Sequence, residues 1–185
     1  DNEEMLNNPE NRCYLCKKYL FQNLLAFAAE KGIDTIMEGN NADDLHVYRP
    51  GTKAVKELGV LSPLAELGIT KAQVREIAAD MGLSCASRPS SPCLATRLPY
   101  GTPISFELLE RVDTGEQWMK EQGFPIVRLR VHGDILRIEI EKERFADFIA
   151  MSDQIKAKMK ELGFAYITLD AEGFRSGSMD VHIVK

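Results

Sequence analysis

Residues 84–104 carry four prolines, Pro89, Pro92, Pro99 and Pro103. Proline has no amide hydrogen and holds φ at about −65°, so this stretch can form neither a long helix nor a central strand. It reads as loop or linker, and it parts two regions whose hydrophobic patterns differ. The domain boundary is placed between 104 and 105.

Ahead of the prolines, Leu20, Phe21, Leu24, Leu25 and Ala28 recur at helical spacing, which predicts a helix over 13–31 stopped by Gly32. Residues 33–38 read as a short strand, ended by the turn-forming run Gly39-Asn40-Asn41-Ala42-Asp43-Asp44. A loop after a strand is where α/β folds keep ligands. A short helix is expected over 52–58. Thr70 can cap another helix, with Gln73 completing a capping box, Val74, Ile77, Ala78 and Met81 on one face, and Gly82 as the stop.

Beyond the prolines, Ser105 can cap a helix running to 122, with Leu108, Leu109, Val112 and Met119 inward and Gly123 ending it. Residues 125–132 and 135–140 alternate around Gly133-Asp134, the pattern of a hairpin. Val127, Leu129 and Val131 share one face of it; Arg128, Arg130 and His132 share the other. A helix over 144–162 and a strand over 165–169 follow. The order helix, strand, strand, helix, strand resembles a ferredoxin-like split βαββαβ unit without its first strand. The expected fold is therefore an α/β domain over 1–104 followed by a small α+β domain over 105–185.

The 185 residues, 44% of them hydrophobic, suit one large domain or two small ones. A net charge of −5, acidic on both sides of Ser105, disfavours a nucleic-acid partner. No window approaches the roughly 18 consecutive apolar residues of a membrane span. The opening Asp1-Asn2-Glu3-Glu4 is acidic where a secretory signal is basic, so a soluble, cytoplasmic chain with no membrane partner is expected. Because the sequence opens on Asp1 and not on Met, a fragment of a longer protein is expected.

Without a secretory signal, the four cysteines read as reduced thiols. Cys13-Tyr14-Leu15-Cys16 admits three functional readings: zinc ligands, a redox dithiol, or ligands of an iron–sulfur cluster. Small buried hydrophobes at a helix start are the plain alternative. A second closely spaced pair is absent, since Cys85 and Cys93 lie eight positions apart. Cys93 sits in the proline-bound loop with Arg97 four residues on, and a nearby guanidinium favours the nucleophilic thiolate. Arg128 and Arg130 point the same way from one strand and can hold an anion between two forks. On pattern alone the favoured reading is a solvated sheet face, paired to Glu139 and Arg137 across the hairpin. Arg49 after Asp43-Asp44 is a second candidate anion or metal site. His46, His132 and His182 are dispersed and make no metal motif.

Taken in order, the stretch from Asn11-Arg12-Cys13 through Cys16-Lys17-Lys18, then Glu38 to Asp44, Arg49-Pro50-Gly51, Ser62-Pro63-Leu64 and Cys93-Leu94-Ala95-Thr96-Arg97 with Tyr100-Gly101 resemble the LarE family. Its members are ATP-dependent sulfur transferases of the adenine-nucleotide α-hydrolase, or PP-loop, superfamily. The resemblance runs from about Asn11 to Ile140. It implies a Rossmann-like ATP domain followed by a small α+β domain. It also implies exchange of carboxylate oxygen for sulfur on pyridinium-3,5-biscarboxylate mononucleotide, a step toward the nickel-pincer nucleotide cofactor.

By the same resemblance, ATP with Mg²⁺ adenylates the substrate carboxylate and a cysteine matching Cys93 delivers sulfur. The cysteine either leaves as dehydroalanine or helps hold a [4Fe–4S] cluster that presents sulfide. Cys13, Cys16 and Cys93 match the cluster-holding members in number, which favours the cluster as the sulfur source. Arg128 and Arg130 match arginines that bind the substrate phosphate, while Asn41, Asp43, Asp44, Arg49 and Arg97 fall near the nucleotide and its metal. A homo-oligomer acting on a small-molecule nucleotide is expected.

One departure stands out. The superfamily's Ser-Gly-Gly-x-Asp-Ser loop, whose backbone amides hold pyrophosphate, occurs nowhere in the 185 residues. The chain by itself is therefore expected not to release pyrophosphate from ATP. Two other functions compete: a PP-loop tRNA thiolase, disfavoured by the acidic balance and the lack of a basic stripe, and a zinc- or cluster-binding module without turnover.

Overall fold

The computed structural model describes residues 3–47, 49–88 and 91–180; Asp1, Asn2, Pro89 and His182, which enter the reading above, lie outside them. In chain order the helices are α1 (Glu3–Leu6), α2 (Arg12–Glu30), α3 (Gly51–Glu57), α4 (Pro63–Glu66), α5 (Lys71–Asp80), α6 (Phe106–Glu121), α7 (Phe145–Ala150) and α8 (Ser152–Glu161). The strands are β1 (Val127–His132), β2 (Ile135–Ile140) and β3 (Tyr166–Leu169), and short 3₁₀ turns cover Ala42–His46, Leu94–Arg97 and Lys142–Arg144. Two compact units result, one of Pro9–Ser90 and one of Asp1–Asn8 with Ser91–Lys185. The division falls fourteen residues earlier than the 104/105 boundary, and the loop 91–104 lies with the second unit.

In the unit Pro9–Ser90, α2 buries Phe21 and Ala28 and is followed by Gly32 at φ +68°. Phe21, Val55 and Val60 form a small core with Ile36 and Leu58 beside it. Helix α3 approaches α2 closely at Gly51, where an added Cβ would lie 3.0 Å from Lys17 Cδ and 3.3 Å from the Cys13 carbonyl oxygen. The strand expected over 33–38 is reduced to one parallel bridge, Met37 to Leu61. Its hydrogen bonds run from Glu38 N to Leu61 O (2.8 Å) and from Leu61 N to Ile36 O (3.0 Å). A strand persists only as far as its amides find partners. Helix α5 has the expected capping box, Gln73 N donating to Thr70 Oγ1 at 3.3 Å and Thr70 N to Gln73 Oε1 at 2.9 Å. Its apolar face is only partly covered: Val74 and Ala78 are half-buried, but Ile77 and Met81 are exposed.

In the second unit, Ser105 Oγ accepts from Leu108 N at 3.2 Å and starts α6 as expected. Strands β1 and β2 pair antiparallel in the register Arg128↔Glu139 and Arg130↔Arg137. Val127, Leu129, Val131, Leu136, Ile138 and Ile140 bury one sheet face against Val112 and Met119 of α6, Phe148 of α7, and Ile155 and Met159 of α8. Two expectations change. The helix over 144–162 is two helices bent at Met151, because Ser152 and Asp153 favour a helix start over its interior. The last strand also departs from a split βαββαβ unit: β3 pairs directly with β2, in parallel, giving the order β1-β2-β3. A parallel neighbour needs a crossover, which α7 and α8 supply. At the start of the chain, α1 is tied in by Ile104 N to Leu6 O (2.7 Å) and Asn8 Nδ2 to Pro99 O (2.8 Å).

Candidate active site

Cys93 opens the Leu94–Arg97 turn, which packs against β1 and α6, and its side chain is exposed. The Cys93 carbonyl accepts from Thr96 N (3.0 Å) and Thr96 Oγ1 (2.7 Å). Arg97 turns inward and is only 1% exposed. Its Nε and Nη2 donate to Glu116 Oε1 (2.6 Å) and Oε2 (2.8 Å), a two-pronged fork, while Nη1 donates to Thr96 Oγ1 (2.8 Å). Glu116 Oε1 also accepts from Leu129 N of β1 at 2.9 Å. One carboxylate on α6 thus fastens the cysteine-bearing turn and the strand together.

Arg130 adds a second tie. Its Nη1 donates to the Thr96 carbonyl (2.8 Å), and its Nε and Nη2 donate to Glu139 Oε2 (3.1 and 3.0 Å). Glu139 Oε1 accepts from Ser178 Oγ (2.5 Å) and pairs with Arg137 Nη2 (3.2 Å), whose Nη1 reaches Asp170 at 3.0 Å. Arg128 donates Nη1 to the Val127 carbonyl (2.7 Å), and its guanidinium lies 5.1 Å from the Phe174 ring centre.

The solvated sheet face favoured on pattern is therefore overturned: Arg128 and Arg130 are 6% and 5% exposed. Burying a guanidinium demands partners for its donors: Glu139 and Thr96 take those of Arg130, and the Val127 carbonyl takes one of Arg128. The cross-hairpin partner Glu139 is found, but on the diagonal, since Arg130 stands opposite Arg137 in register. Loss of water pushes the pKa of Arg128 down, and Arg97 nearby pushes it further; Glu116 and Glu139 oppose the shift. Arg130 is likewise lowered by burial, with Glu139 opposing. Among the described residues, Glu116 and Glu139 are the carboxylates whose charge acts on Arg128, and Arg97 and Arg130 are the guanidinium groups that oppose them.

At the end of β1, burial first and Arg137 second lower the pKa of His132 below 6.5. The folded state thus binds the proton less well than the unfolded one. His132 contributes stability at neutral pH that is lost as pH falls through 6.5 toward the lower folded value. The imidazole is exposed by area, so the effect is small. An NMR titration should place its midpoint below 6.5, and His132→Asn should remove that part of the acid slope of stability; a midpoint above 6.5 would contradict this.

Of the residues expected near nucleotide and metal, Arg97 lies in the unit of Cys93, paired to Glu116, while Asn41, Asp43, Asp44 and Arg49 belong to the other unit and form a hydrogen-bonded loop. Asn41 Oδ1 accepts from Asp43 N and Asp44 Oδ2 from Asn41 N, each at 3.1 Å, which caps the Ala42–His46 turn. Asp43 Oδ2 accepts from Lys71 N (2.8 Å) at the start of α5, and Arg49 pairs with Asp44 Oδ1 at 2.8 Å. Glu38 beside them accepts from Lys17 Nζ (3.1 Å) and Ser62 Oγ (2.5 Å).

Cys13 and Cys16 stand three residues apart on the first turns of α2, on one helix face, and both are exposed. Burial as small hydrophobes is excluded for both. Two thiols so placed, with Cys93 as a third, have the donor chemistry of an iron–sulfur cluster. Cys93 belongs to the other unit, and among the described residues no three His, Cys, Asp or Glu side chains form a metal-holding group.

The sequence reading missed Glu116, Asp170 and Ser178. Only Glu116 left a signal: it falls four residues after Val112 and three before Met119, so a carboxylate stands on the inward stripe of α6. A charge on a core stripe announces a buried partner.

The fold and site define an α/β protein that presents an exposed cysteine from a turn fastened over a buried network of arginines and carboxylates. No helix among the described residues is long and apolar enough to cross a membrane. No protein-family model matches the chain. It is 41% identical over 180 residues to an uncharacterized protein of Synechocystis sp., covering 96% of this chain and 67% of the relative. It is 36% identical over 183 residues to the pyridinium-3,5-bisthiocarboxylic acid mononucleotide synthase of Lactiplantibacillus plantarum, covering 99% and 66%. An uncharacterized protein of Methanocaldococcus jannaschii is 31% identical over 174 residues, with 94% and 68% covered. The chain belongs to this LarE-like family and spans about two thirds of the length of these relatives.

Proposed function

We propose that this chain is part of an ATP-dependent sulfur transferase that converts pyridinium-3,5-biscarboxylate mononucleotide to its bisthiocarboxylate. The observation that carries the reading is the exposed Cys93 on a turn that Arg130 grips at the Thr96 carbonyl, in a chain 36% identical to a synthase of that product. A carboxylate is a poor acceptor because its leaving group is oxide. Attack of the substrate carboxylate on the α-phosphorus of MgATP expels pyrophosphate and gives an acyl adenylate. The Cys93 thiolate then adds to the acyl carbon and displaces AMP, forming a thioester. Loss of the Cys93 Cα proton to a base, with the Cβ–S electron pair moving to sulfur, leaves thiocarboxylate on the nucleotide and dehydroalanine in the chain.

Arg128 is assigned to the substrate phosphate. Arg130, expected there as well, is committed in this structure to Glu139 and Thr96 and contributes to that phosphate through its charge. Asn41, Asp43, Asp44 and Arg49 are assigned to the nucleotide side. In the second form of the reaction, Cys13, Cys16 and Cys93 would hold a [4Fe–4S] cluster. When bound, that cluster supplies the sulfide that a sacrificed cysteine would otherwise provide.

The test uses the family's full-length protein carrying this sequence, supplied with the biscarboxylate mononucleotide and MgATP. Thiolated nucleotide, with one AMP and one pyrophosphate per sulfur, is expected. Absence of thiolated nucleotide, with sulfur appearing instead on tRNA, would sink the reading. For Arg128→Ala, calorimetry should show nucleotide affinity weaker by roughly 1.5–3 kcal/mol. Affinity for the dephosphorylated nucleoside should stay the same; an equal loss for both ligands would remove Arg128 from the phosphate.

A further inference from the structure

We infer that Glu116 is a positioning residue for Cys93, acting through Arg97 and Thr96 on the turn that presents the thiol. The inference rests on Cys93 being the reacting cysteine. Glu116 touches nothing that could be substrate: its side chain is 2% exposed, inside α6, next to Gly115, where an added Cβ would lie 2.6 Å from Leu129 Cδ1. Both its oxygens are spent on the Arg97 fork, and one of them also holds Leu129 N. From that anchor, Arg97 Nη1 reaches Thr96 Oγ1, and Thr96 in turn donates both its amide and its hydroxyl to the Cys93 carbonyl. Arg130, held by Glu139, grips the same residue by its carbonyl. The backbone of Cys93 is thus fixed from the protein interior while its sulfur stays outside.

Stability does not explain such a pair. A buried ion pair is at best equal to a well-packed apolar pair of the same volume, because both charges lose their water. What an apolar pair lacks is direction. A bidentate guanidinium–carboxylate fork sets both distance and plane, and so fixes where the turn sits on α6 and β1.

The experiment separates positioning from stability in the 185-residue chain. Glu116→Gln leaves Arg97 buried without its full counter-charge, whereas Arg97→Met with Glu116→Leu replaces the pair by apolar groups. Amide exchange at Thr96 and Leu98 is compared with exchange in β1 and β2, alongside thermal melting. Iodoacetamide labelling of Cys93 is followed by peptide mass spectrometry, with Cys13, Cys16 and Cys85 as internal references. In Glu116→Gln, Thr96 and Leu98 should exchange at least about tenfold faster relative to the sheet, a local opening. Only Cys93 labelling should change. The double variant should recover most of the melting temperature yet keep the fast turn exchange. If it recovers turn protection too, or if turn and sheet amides rise together, Glu116 is merely structural and the inference falls. None of these readouts uses ATP or nucleotide, so they stand or fall separately from sulfur transfer. In the full-length protein, Glu116→Gln should then lower kcat for sulfur transfer with KM for the nucleotide unchanged.

Discussion

Glu139→Leu is expected to destabilise the unit Asp1–Asn8 with Ser91–Lys185 by about 3–5 kcal/mol, read as a fall in the urea midpoint at constant slope. Glu139 is fully buried and is the common acceptor of Arg130, Arg137 and Ser178. Removing it strands the Arg130 guanidinium in a site from which water is excluded, and that uncompensated charge supplies most of the loss. Glu139→Gln keeps acceptor oxygen and shape and should cost clearly less. Asp153→Ala breaks the surface pair between Lys156 and Asp153, which are 61% and 93% exposed, and should cost far less. If Glu139→Leu costs no more than Asp153→Ala, the network does not hold the Cys93 turn.

The second large effect is expected from the cysteines, and it decides the sulfur source. Cys93→Ala should abolish sulfur transfer in the full-length protein on either route while leaving melting nearly unchanged, because the side chain is exposed. Cys13→Ala and Cys16→Ala divide the routes. Three thiolates are needed to hold a [4Fe–4S] cluster with one iron open. After anaerobic reconstitution, each of the three single variants should therefore lose iron, acid-labile sulfide and sulfur transfer together. If Cys13→Ala and Cys16→Ala keep full activity, and turnover lowers the mass of the Cys93 peptide by one H₂S, Cys93 is the sacrificed donor.

Local chemistry set the elements, and most of it could be read directly. The Thr70–Gln73 box, the Ser105 cap, the Gly133-Asp134 hairpin and the stop at Gly32 depend on residues within a few positions of each other, so sequence and structure agree on them. Disagreement begins where a partner is remote. The strand over 33–38 needed neighbours along its length and found one bridge, to Leu61. The last strand took the slot beside β2, a choice set by the crossover and not by its own four residues.

The candidate site divides the same way. Cys13, Cys16, Cys93, Arg97, Arg128 and Arg130 could be named from the sequence because reactive and charged side chains announce themselves, and their spacing within one strand or helix follows from its period. Whether Arg128 and Arg130 meet water or the interior could not, because a hairpin's polar face looks the same until another segment covers it. Here the Leu94–Arg97 turn, Phe174 and Ser178 do so. Burial is a property of all the chain that packs above a residue, and so are its desolvation and the partner it must find. The sequence by itself therefore determined which groups are available for chemistry. Only the tertiary structure decided that Glu116 and Glu139 spend their charge holding the cysteine in place.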